Sequence, residues 1–112
     1  MAKVVISNTL REEIYSKFKA ESEKIFIRMK QLETQPTIGK AVGNVGGVAI
    51  KELRYEKFRF YFVTDGHVLR FGSTDELAAI IIKFVKMSEK KDQQKSINSI
   101  KDILKTLGFE GF

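Results

Sequence analysis

Cysteine and tryptophan are absent from this chain, and histidine and proline each occur once. The lack of cysteine removes disulfide frameworks, thiolate zinc sites and thiol nucleophiles together. A single histidine, His67, leaves no convergent ligand set for a structural metal, so no metal and no cofactor are expected. It also thins out nucleophilic triads. His67 follows an Asp65-Gly66 turn signal with no nucleophile signature around it, and a turn histidine is ordinarily just solvated. Long apolar runs are missing too. The longest, Leu77 to Ile82, is far short of the roughly 20 residues a membrane-spanning helix needs. The segment Met1 to Ser7 lacks the extended apolar region and small-residue cleavage site of a secretory signal. These absences give the expectation of a cytoplasmic protein with no membrane partner.

What is present is enough for one core. The chain has 112 residues, 43% hydrophobic and 30% charged, which suits a single domain over 1–112 with a solvated surface. The formal net charge is +6. A basic domain of this size fits a nucleic-acid binder, or a merely soluble lysine-rich protein.

Lys3 to Ile6 is a β-branched run that predicts a strand. Thr9 is a candidate N-cap, with Glu12 completing a capping box. Ile14, Tyr15, Phe18, Ile25, Phe26, Met29 and Leu32 then recur at helical spacing. The pattern allows one long helix, or a helical hairpin broken near Ala20 to Ser22 with Ser22 as the second cap. Pro36 marks the end. Gly39 to Gly47 holds four of the eight glycines and reads as a loop. It lacks the Gly-Lys-Ser/Thr closure of a phosphate-cradling loop.

Two strands are predicted over Val48 to Tyr55 and Phe58 to Thr64. Period two puts Phe58, Phe60 and Phe62 on one face and Arg59, Tyr61 and Val63 on the other. Asp65-Gly66 signals a turn, with His67 to Phe71 as the returning strand. Ser73 to Glu76 suggests a short helical turn, and Ala79 to Val85 a buried strand. A last helix runs from about Lys90 to Leu107, with Ile97, Ile100, Ile103, Leu104 and Leu107 as its stripe and Gly108 as its stop. The sum is an α+β fold. A small antiparallel sheet of three to five strands carries the N-terminal helical segment on one face, and a C-terminal helix closes the chain.

The candidate chemistry is cationic. Asp65, Asp75, Glu76 and Asp92 fall at turns or a helix start, where carboxylates are common for local reasons. Lys51, Arg54, Lys57 and Arg59 cluster in the central hairpin. Lys83, Lys86, Lys90 and Lys91 cluster where the last strand meets the final helix. Paired side by side, these strands would bring the groups to one phosphate-sized surface, where arginine supplies a planar fork and lysine a point charge. Tyr55 and Tyr61 are interleaved and suited to stacking on unpaired bases. The bland alternative is a set of solvated faces.

Leu53-Arg54, then Phe58-Arg59-Phe60-Tyr61, a strand, and Lys90-Lys91-Asp92-Gln93-Gln94-Lys95 opening the last helix resemble the RelE/ParE toxin superfamily. The resemblance spans nearly the whole chain in element order. It implies a compact sheet with two N-terminal helices, and a partner antitoxin. Many members are ribosome-dependent, metal-independent mRNA endonucleases; others inhibit DNA gyrase. By position, Arg59 corresponds to the strand arginine that stabilises phosphorane-like charge, and Lys91 or Lys90 to a second catalytic cation. Arg54, Lys51, Lys57, Tyr61 and Lys86 are the expected RNA contacts.

Two positions depart from the nuclease pattern. Glu52 stands where a lysine often precedes the Leu-Arg pair, and Ile97 where a tyrosine often follows the second cation. A non-catalytic binder of the same fold, such as a gyrase-directed toxin, is therefore the alternative. A protein-interaction module using the sheet edge and the Phe109 to Phe112 tail, with a homodimer among its forms, is another.

Overall fold

Each strand and helix is placed by what its side chains must cover. The computed structural model describes residues 1–112. Strand β1 (Lys3–Ile6) leads into helix α1 (Asn8–Phe18) and helix α2 (Ser22–Lys30). Strands β2 (Lys40–Val45), β3 (Val48–Tyr55) and β4 (Phe58–Asp65) follow. Two short helices, α3 (Gly66–Phe71) and α4 (Thr74–Ala79), precede strand β5 (Ile81–Glu89) and helix α5 (Gln93–Leu107). The five strands form one sheet in the order β1-β5-β4-β3-β2. Every neighbouring pair is antiparallel except β1 with β5, which is parallel. The fold is α+β, with a mixed rather than wholly antiparallel sheet.

The alternation along β4 explains its central place. Phe60 and Phe62, with Phe84 of β5, bury against Leu10, Ile14, Ile25, Met29 and Leu32 of the N-terminal helical segment. On the reverse face, Tyr61 and Val63 bury with Ile50 against Ile97, Ile100 and Leu104 of α5. A strand covered on both faces reads as nearly all apolar. Burying a side chain of this size stabilises by roughly 1.5–3 kcal/mol. Helices thus lie on both faces of the sheet. No helix is long and apolar enough to cross a membrane.

Several local expectations are corrected. The cap of α1 is Ser7, whose hydroxyl accepts from the Leu10 amide, not Thr9. The helical hairpin broken near Ala20 is the alternative found: the 3-10 turn Lys19–Glu21 separates α1 from α2, beginning at Lys19 with a φ of 51°. Ser22 does not cap α2; its buried hydroxyl donates to the Ile14 carbonyl and ties the two helices together. The glycine-rich stretch is mostly strand. Residues 40–45 pair with β3 through a two-residue turn at Gly46 and Gly47, both with positive φ. That geometry is the usual short hairpin connection, and two glycines adopt it without strain.

The stretch after Asp65 is a helix, not a returning strand. Asp65 Oδ1 accepts from the amides of both His67 and Val68, so the Asp-Gly pair starts a helix instead of closing a hairpin. Val68 and Leu69 pack on the first core, which rewards the helical choice. Ser73 and Glu76 form a reciprocal capping box on α4. The return strand β5 then runs to Glu89, beyond the expected end at Val85.

Candidate nucleic-acid interface

The register of the sheet decides which cations can meet. Arg54 lies directly opposite Arg59 across β3 and β4, and Arg59 lies opposite Ser88 of β5. The adjacent same-face row, two positions along, runs Lys40, Glu52, Tyr61, Lys86 across four strands. Both rows sit on the α5 face, at the end of the sheet beside the 3-10 turn Lys90–Asp92 that opens onto α5. Like charges directly opposite in a sheet are destabilising. Arg54 and Arg59 are opposite in register here, but each guanidinium takes its own partner, Arg54 the Glu52 carboxylate and Arg59 the carbonyls of Glu56 and Phe58.

Arg59 is only 5% exposed. Its Nη1 donates to the carbonyls of Glu56 (3.1 Å) and Phe58 (2.9 Å), and its Nε has no partner. Glu56 occupies the β3–β4 turn at a φ of 54°, so the guanidinium secures a strained bend. No carboxylate lies within ion-pair distance of Arg59; the four ion pairs of the fold involve other groups. Glu52 is 1% exposed, accepts from Gln93 Nε2 at 2.8 Å, and meets Arg54 Nε at 3.8 Å. Its Oε1 has no hydrogen-bond donor. A buried guanidinium and a buried carboxylate, each incompletely satisfied, therefore underlie the more exposed Arg54.

Other expected RNA contacts are distributed differently. Tyr61 is fully buried, and its hydroxyl pairs with that of Ser88 at 2.9 Å. Burial raises its pKa, and its ring presents no face to a base. Lys51 lies on the opposite face of the sheet. Its amine donates to the Thr37 carbonyl at 2.9 Å and stands 6.0 Å from the centre of the Phe62 ring. Desolvation lowers its pKa. It pins the segment before β2 and is not free for a nucleic acid. Tyr55 likewise belongs to the α1 side, where it packs on Phe18 and its hydroxyl donates to Glu21. Lys83 is bound to the Phe112 carbonyl near the C-terminus.

Lys57 and Lys91 are held by one carboxylate. Glu89 Oε1 is 3.0 Å from the Lys57 amine, and Oε2 is 3.5 Å from the Lys91 amine. The hydrogen bond from Lys57, followed by the positive charges of Lys57 and Lys91, lowers the pKa of Glu89. Lys90 is anchored only through its backbone, its amide donating to the Lys57 carbonyl at 3.0 Å, and its side chain is exposed. Lys86 is half-buried and its amine makes no ion pair.

The α1 side of the same end has a different character. A groove of about 630 Å³ there is lined by Glu12, Glu13, Glu89 and Asp92, against the single cation Lys17, around Phe58 and Met87. Carboxylates of this density disfavour a polyanion, which confines the anion-attracting surface to the α5 side. At the far end of the sheet, His67, Val48, Ile81 and Phe109 border a cavity of about 590 Å³. His67 itself is exposed, and the nearby Asp65 and Glu76 carboxylates cap helices.

Sequence reasoning singled out the arginines and lysines, and Gln93 within the Lys-Lys-Asp-Gln-Gln run, but not Glu89 or Ser88. Glu89 is separated from Lys57 by 32 residues of chain, and only the β4–β5 pairing brings them together. No family model, curated protein or solved structure matches this chain.

Proposed function

We propose that this chain is a RelE/ParE-type toxin domain that engages RNA at the ribosome through the basic end of its sheet, and that it acts by binding. The observation that carries this reading is the set of accessible cations at one end of the sheet: the exposed Arg54 and, in the next row of the α5 face, the half-buried Lys86, beside the exposed Lys90 of the turn before α5. Neither Lys86 nor Lys90 forms an ion pair, so both amines are available to a polyanion. The order of strand, helix pair, antiparallel strands and closing helix supports the family resemblance. On this reading the protein works in the cytoplasm, and a neutralising antitoxin is the partner that covers the basic end.

Binding is favoured over cleavage by three placements. The Arg59 guanidinium is turned onto backbone carbonyls. Lys91 is held by Glu89. Ile97 fills the core under α5 at the position where the resemblance asks for a tyrosine. An endonuclease would need Arg59 and Lys91 to leave these partners, and a general base besides.

The test is fluorescence anisotropy with a short unstructured single-stranded RNA across a salt series, beside ribosome pelleting. Affinity should fall with salt, and Lys86→Ala and Lys90→Ala should each flatten the log–log slope by about 0.7. No affinity for RNA or ribosomes at low salt would overturn the reading. New RNA ends in the bound transcript would restore the endonuclease. Inhibition of DNA gyrase without RNA affinity would move the target.

A further inference from the structure

The ends of β3, β4 and β5 farthest from the basic rows border the cavity of about 590 Å³. Its size falls within the range of about 300–1,000 Å³ common to small-molecule pockets. Val68 and Ile80 bring the first core to its wall, and Val48 and Phe109 bring the second. Ile81, on the same wall, stays 46% exposed. The turn at Gly46 and Gly47 forms part of the rim, and a Cβ on either glycine would meet nothing within 4 Å. That turn therefore puts no side chain into the opening. The charged groups around the cavity have one sign. Asp65 and Glu76 line it and no lysine or arginine does, in a chain that has 20 of them. Each carboxylate commits one oxygen to a helix start: Asp65 Oδ1 to the amides of His67 and Val68, and Glu76 Oε1 to the amide of Ser73. The second oxygen of each takes no donor, and neither group forms an ion pair.

We propose that this cavity binds a small organic cation, an apolar body carrying one ammonium group. The body covers the apolar walls that the two cores leave open, and the ammonium takes the two free carboxylate oxygens. Phe109 adds aromatic surface, which also attracts a cation. An anion is disfavoured twice, by repulsion from Asp65 and Glu76 and by the lack of any lysine or arginine to receive it. The site lies at the opposite end of the sheet from Arg54, Lys86 and Lys90 and selects the opposite charge, so it stands or falls independently of RNA binding.

The test titrates the full chain with phenylbutylamine, phenylbutanol and phenylbutyrate, which share one apolar body, and follows backbone amides by proton–nitrogen correlation NMR. The amine should shift the amides of Val68, Ala79, Ile81 and Phe109 together. It should bind about 4–25-fold more tightly than the alcohol, the product of about 2–5-fold from each carboxylate, and phenylbutyrate should not bind. Glu76→Gln and Asp65→Asn remove the charges while keeping residues that serve the same capping positions. Each should weaken the amine by about 2–5-fold and leave the alcohol unchanged. Ala79→Leu, at an exposed position on the cavity wall, should weaken amine and alcohol alike. Thermal unfolding checks that each variant folds. Equal affinities of the parent for amine and alcohol, tighter binding of phenylbutyrate, or no binding of any probe would overturn the proposal. A dimer in sedimentation that Ala79→Leu abolishes would assign the cavity to a second copy of the chain and overturn it as well.

Discussion

Replacing Arg59 with alanine tests whether its buried guanidinium serves the fold. The side chain contributes two charge-assisted hydrogen bonds, to the carbonyls of Glu56 and Phe58. At roughly 1.5–3 kcal/mol each, these set an upper bound of about 3–6 kcal/mol. Two effects oppose them. Repulsion from Arg54 directly across the strand is relieved, worth up to about 1 kcal/mol. The burial cost of a guanidinium with an unpaired Nε is also relieved. The expected net loss is about 2–4 kcal/mol, a large fraction of the stability of an ordinary domain. For a chain of this length that corresponds to a fall of roughly 8–16 °C in melting temperature.

The assay is equilibrium urea unfolding, with an unchanged m value showing that the midpoint reports stability. Lys90→Ala is the companion variant. Its exposed side chain should leave stability within about 0.5 kcal/mol while weakening RNA binding. A lost phenotype in Arg59→Ala therefore says little about catalysis until folding is measured. An Arg59→Ala midpoint equal to the parent's would refute the structural reasoning and free the guanidinium for a functional role.

Three further outcomes are expected. Lys51→Met should be neutral or stabilising near neutral pH, because it removes a buried ammonium whose only polar partner is the Thr37 carbonyl. In the parent, the depressed Lys51 pKa makes the native state shed its proton first, so stability should rise with pH in the alkaline range just below the ordinary lysine value. Urea midpoints across that range check both points, and a parent profile no steeper than the variant's refutes them. Gly39→Ala should destabilise by about 1–3 kcal/mol, since φ is +105° and a Cβ would stand 2.9 Å from Phe62 Cζ; a thermal midpoint equal to the parent's counts against the packing described. Phe84→Ala should cost about 3–5 kcal/mol by opening a cavity between β5 and the N-terminal helices, read in the same urea experiment.

Residue order by itself determined much of this protein. The period-two alternation of 58–63 already separated the two faces of β4, and the stripe of Ile97, Ile100 and Leu104 already defined the buried side of α5. These patterns are local, and local periodicity survives into the fold because burial rewards it wherever the partner lies. The composition also removed thiol chemistry before any geometry was known.

The tertiary structure decided the rest. Asp65-Gly66 carries signals for a hairpin and for a helix start, and packing of Val68 and Leu69 on the core selected the helix. The glycines of 39–47 suited a loop until β3 offered them an edge to pair with. The cations look alike in a list. Strand pairing set Arg59 behind its turn, Lys51 on the opposite face, and Glu89 between two lysines far from each other in the chain. Charge belongs to a residue, but the partner that neutralises it belongs to the fold, since contacts between distant segments exist only after the chain has collapsed.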